Sequence, residues 1–127
     1  MKNDLDLIRA ILLEVEARNT ATAEVVEISG WPERLVARHV ERLCQDGLLD
    51  YTNGYWAGDE GDDVKEYLVK DLSTRGHQFL GALRSGDVLQ RLKSALKPSE
   101  LAALSFGKLA QIAGELAEKI IRQKLGL

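Results

Sequence analysis

Four side chains in one stretch have the chemistry to read a nucleic acid. Arg34, Arg38 and Arg42 recur at every fourth position and Gln45 follows three residues later, so on a helix they share one side. A guanidinium can bind guanine bidentately or pair with phosphate, and a glutamine amide can read adenine. Glu33, Glu41 and Asp46 interleave with them, and the competing interpretation is a solvated face in which the two signs cancel. Spacing alone leaves both open.

A second group is acidic. Asp59, Glu60, Asp62 and Asp63 fall within six residues of sequence bounded by Gly58. Phosphates would repel them. Clustered carboxylates suit hard cations, but the alternating ligand spacing and distal glutamate of a calcium loop are missing, so no metal is expected. Two roles are left: a plain solvated loop, or a tip that meets a basic protein partner by imitating nucleic-acid charge.

Catalytic chemistry is not indicated. His39 and His77 lack cysteine or carboxylate partners at zinc-ligand spacing, and no serine, threonine or cysteine stands in an arrangement that suggests a base and an orienting third group. Cys44 continues the apolar side after Val40 and is expected to be a buried structural thiol, with His39 at the core edge. Trp31 and Trp56 flank breaks where a large ring plugs a core; base stacking by Tyr55 or Trp56 is the functional alternative. The expectation is a protein that is no enzyme and uses no cofactor.

Composition narrows the setting. At 127 residues the chain suits one domain, and its net charge of −3 withholds the basic excess that usually draws a DNA-binding domain to phosphates. No window approaches the roughly 18 apolar residues of a membrane span, and a single cysteine suits a reducing cytoplasm, where the chain is expected to reside.

The elements that must carry these residues follow from periodicity. Leu5, Ile8, Ile11, Leu12 and Val15 recur at helical steps and predict a helix from about Asn3 to Arg18. Glu24 to Ile28 is rich in β-branched residues and predicts a short strand. Pro32 opens a second helix that runs to about Asp46, with Gly47 as its C-terminal cap. The segments 48–56 and 65–72 predict a β-hairpin with a long tip, and Ser73 is placed to cap a third helix reaching about Arg84. Val88, Leu89, Leu92 and Leu96 predict another helix before Pro98, with a short turn around Leu101 and Leu104. Ser105 could cap a final helix carrying Leu109, Ile112, Ala113, Leu116, Ile120 and Ile121. Its apolar arc, roughly half the circumference, is wider than a lightly packed surface helix needs.

The order helix, strand, helix, hairpin, helix is that of a winged helix, in which a recognition helix runs straight into a β-hairpin. The expected class is therefore α+β, mainly α, winged-helix-like over residues 1–84, with a C-terminal helical extension over 85–127 packed on that core or on a partner. One part is lacking. Only Ser29, Gly30 and Trp31 separate the strand from the second helix, so the positioning helix of a full helix-turn-helix is missing.

Several segments resemble a known family. Asp4-Leu5-Asp6-Leu7-Ile8-Arg9, Arg38-His39-Val40-Glu41-Arg42-Leu43 leading into Gly47-Leu48-Leu49, Leu72-Ser73 before Gly76-His77-Gln78-Phe79-Leu80, and Lys124-Leu125-Gly126-Leu127 resemble a bacterial and prophage family known only as a domain of unknown function. The resemblance implies a winged-helix-like fold and brings no established activity. Two kinds of partner are then in view. One is double-stranded DNA, met by Arg34, Arg38, Arg42 and Gln45 in a transcription-associated regulator. The other is a protein, either a second copy meeting Leu109, Ile112, Leu116 and Ile120 with the small residues Ala110, Gly114 and Ala117 between them, or a host protein meeting Asp59, Glu60, Asp62 and Asp63.

Overall fold

The computed structural model describes residues 3–18, 22–56 and 65–127, with residues 53–56 described in their backbone. Six helices and one hairpin follow in the order α1 (Leu5–Glu16), α2 (Glu33–Gln45), β1 (Leu49–Trp56), β2 (Lys65–Leu72), α3 (Thr74–Leu83), α4 (Gly86–Ala95), α5 (Pro98–Ala103) and α6 (Phe106–Lys124). The chain is thus a mainly helical α+β protein with one antiparallel two-stranded sheet among the described residues.

Helix starts follow side-chain chemistry. Asp4 caps α1 by accepting from the amides of Asp6 and Leu7 at 2.9 and 3.2 Å. Ser73 caps α3 and Ser105 caps α6, each accepting a backbone N–H at 3.0 Å. Such caps satisfy amides that the first helical turn leaves without a partner. The anticipated turn around Leu101 and Leu104 is a short helix, α5, with Pro98 in its first turn.

The sheet pairs Leu49 with Leu72 and Trp56 with Lys65, with irregularities on either side of Tyr51. Tyr51 stands edge-on to Tyr67, 5.0 Å between ring centres. The strand expected over Glu24–Ile28 is reduced to a single bridge, Glu24 to Val69, made by two amide bonds of 3.0 and 2.9 Å. Arg18 braces this bridge: its guanidinium donates to the carbonyls of Glu24, Val25 and Val69 at 3.3, 3.1 and 2.8 Å, and the Glu24 and Val69 carbonyls are the two that also accept the bridge's amides.

The buried stripe of α1, the inner faces of α2 and α3, and Val69 and Leu72 of β2 form one core with Phe106, Leu109 and Ala113 of α6. The last helix therefore packs on α2, α3 and α4 of its own chain. Its start is tied down by Asp46, whose carboxylate accepts from the amides of Phe106 and Gly107 at 2.8 and 3.1 Å. Gly76 of α3 lies against Leu48, where a Cβ would collide with the Leu48 carbonyl oxygen.

Candidate interaction surface around helix α2

Two of the four expected reading residues are engaged by other parts of the chain. Arg42 donates to the Asn3 side-chain carbonyl at 2.8 Å and lies over the Phe106 ring, 5.1 Å from its centre. Asn3 in turn donates to the Leu101 carbonyl at 2.6 Å, so Arg42 belongs to a junction of the N-terminal segment, α2, α5 and α6. Gln45, although exposed, hydrogen-bonds the Tyr67 side chain of β2. Burial pushes the Tyr67 phenol above its ordinary range, the Glu41 carboxylate adds to that push, and Gln45 opposes it.

Arg34 is exposed and Arg38 half-buried on the outer side of α2, and both already interact with neighbouring groups. Exposed Glu33 and half-buried Glu41 share the helix with them. The outer face therefore carries both signs. Beside it a cleft of about 440 Å³ opens between residues 25–31, α2 and β2, floored by Val36, Val40 and Tyr67 and rimmed by Glu27, Glu33 and Lys65. Residues 22–32 contain no helix, and this cleft occupies the side of α2 next to that segment.

His39 lies deeper than the core edge: it is 0% exposed, its ring 5.6 Å from that of Phe106. The Asp4 amide donates to its Nε2 at 3.1 Å, so Nδ1 carries the proton and donates to the Leu35 carbonyl at 2.9 Å. Desolvation holds the imidazole below its ordinary pKa. Cys44 is also buried, and burial, with Glu41 nearby, pushes its thiol up to about 12, far from the thiolate that reactive cysteines need. Among the described residues no three His, Cys, Asp or Glu side chains gather as a metal site would require.

The other expected contacts divide. Asp59, Glu60, Asp62 and Asp63 lie outside the described residues, as does the Trp56 side chain. Leu109 and Ile120 are buried and Ile112 and Leu116 half-buried, because that side of α6 meets its own core. What the periodicity did not separate is the flank beyond them. Ile121, Leu125 and Leu127 are 56%, 68% and 80% exposed, next to a groove of about 640 Å³ walled by Gly81, Gly114 and Ala117. Periodicity put Ile121 in the same wide apolar arc as the buried positions; only the position of α3 shows which side of that arc stays open. Among the described residues no helix is long and apolar enough to cross a membrane.

An uncharacterised protein of Haemophilus influenzae is 27% identical over 123 residues, covering 95% of this chain and 99% of its own length. No solved structure matches the chain. The family model described as a hypothetical protein, DUF2513, matches residues 2–102, ending within α5, and the chain belongs to the DUF2513 family.

Proposed function

We propose that the chain is a non-enzymatic, winged-helix-like module that docks on a protein through the outer face of α2 and the adjoining hairpin. The winged-helix element is supported by two relations. Helix α2 runs straight into β1, and the Glu24 segment, β2 and β1 lie side by side in that order. The preference for a protein rests on one observation: with Arg42 tied to Asn3 and Phe106, the outer face of α2 keeps Arg34 and Arg38 between Glu33 and Glu41. A face of mixed sign matches another mixed surface, whereas a duplex presents one negative charge per ~1.7 Å of axis. Four carboxylates in the hairpin connection add to that mismatch.

Affinity capture from a bacterial lysate tests this. A discrete protein should be retained by the wild type and lost with both Glu33→Lys/Glu41→Lys and Arg34→Glu/Arg38→Glu, each folded by circular dichroism. Capture indifferent to both pairs, or retention of nucleic acid alone, would contradict it. Duplex DNA is the second reading, favoured by the direct join of α2 to the hairpin and the outward position of Arg34 and Arg38.

A further inference from the structure

The flank of α6 that its own core leaves open has a pattern of its own. At about 100° per residue, Ala110, Gly114, Ala117, Ile121 and Leu125 fall within an arc of about 80°, beside the buried line of Leu109, Ala113 and Ile120. Small residues occupy the first half of this strip and exposed large ones the second. No Cβ contact lies within 4 Å of Gly81 or Gly114, so the groove beside them is open space.

We propose that this strip is the contact surface of a homodimer, with two α6 helices antiparallel about a two-fold axis passing between Ala117 and Glu118. A two-fold contact must be self-complementary, each residue meeting the other's counterpart. This axis sets Gly114 opposite the partner's Ile121 and Ala110 opposite the partner's Leu125, so each large side chain of one copy enters the small-residue half of the other. A parallel pairing would set large against large. Charge agrees with the antiparallel register. Glu115 falls opposite the partner's Ile120, two residues from the partner's Arg122 and about 3 Å away along the axis. Within one chain Arg122 pairs with exposed Glu118 at 3.2 Å, a contact weak enough to be shared or exchanged.

The size of the surface sets its strength. Nineteen residues make α6 about 28 Å long, and the ten residues of α3 extend about 15 Å beside it, so at about 10 Å per helix the face is roughly 900 Å² over both copies. That lies just below the ~1,000 Å² expected of a specific interface and predicts a weak, reversible, concentration-dependent dimer. This surface lies apart from the outer face of α2, so its test stands whatever that face binds.

Sedimentation equilibrium of the full chain across a concentration series tests the register. The wild type should dimerise reversibly. Gly114→Ile, which fills the recess, and Ile121→Ala, which removes the knob, should each weaken the dimer by about tenfold or more. Combined, they restore a small residue opposite a large one and should recover most of the loss. If the strip is merely sticky, Gly114→Ile strengthens association and the double variant shows no recovery; that outcome, or a monomeric wild type, overturns the proposal.

Discussion

His39 stays neutral in the folded chain because both ring nitrogens are already engaged: Nε2 accepts from Asp4 and Nδ1 donates to Leu35. A proton on Nε2 would replace that acceptor with a donor facing the Asp4 N–H in a dry site. The folded-state pKa is lowered, so the unfolded chain takes up the proton first as pH falls. Stability from this site is complete above about 6.5 and is lost progressively below it. Urea unfolding at a series of pH values should show a decline from neutral toward mildly acidic pH that is flatter in His39→Gln; an equal decline in both would contradict this. Glycines give a second contrast at the same scale. Gly76→Ala, although Ala is the better helix former, should lose about 1–3 kcal/mol because its Cβ meets the Leu48 carbonyl. Gly86→Ala, with open space around it, should gain about 0.4–1 kcal/mol in the same thermal or denaturant measurement. Little of this was legible in the sequence at residue resolution. Arg42 shares a helical side with Arg34 and Arg38, and only the arrival of Asn3 and Phe106 from distant parts of the chain engages it.

At the scale of elements, local chemistry carried further. The apolar stripes of α1 and α4, the serine caps of α3 and α6, and the hairpin segments are all short-range signals, and each element forms where they lie. Glu24 to Ile28 is the exception. Its β-branched residues suit a strand, but only Glu24 pairs with β2, and the Arg18 side chain braces that one bridge by donating to three carbonyls around it. Side chains brace the backbone again at α6, where Asp46 accepts the first two amides and Arg75 donates to the Asp46 carbonyl at 3.2 Å. Asp46→Ala should cost about 0.5–2 kcal/mol of stability, measured by denaturant unfolding, and should loosen α6 before the hairpin in amide exchange. Uniform loss of protection across the chain would argue that Asp46 is not the anchor of that helix.

At the scale of the whole molecule, two surfaces carry the proposals: the outer face of α2 with the hairpin, and the open flank of α6 beside α3. The first carries both signs and the second an apolar strip, and among the described residues no three His, Cys, Asp or Glu side chains gather as a metal site would require. The sequence offered α2 for DNA and the last helix or the acidic tip for a protein, and spacing alone could not weigh one partner against the other. The most direct measurement is fluorescence anisotropy of a labelled mixed-sequence DNA duplex titrated with the wild type and with Arg34→Ala/Arg38→Ala, at low and physiological salt. Protein docking predicts no saturable binding, or only weak binding at low salt that the double substitution leaves unchanged. Saturable binding that falls steeply with salt and is lost in the double variant would contradict it and assign the α2 face to duplex DNA.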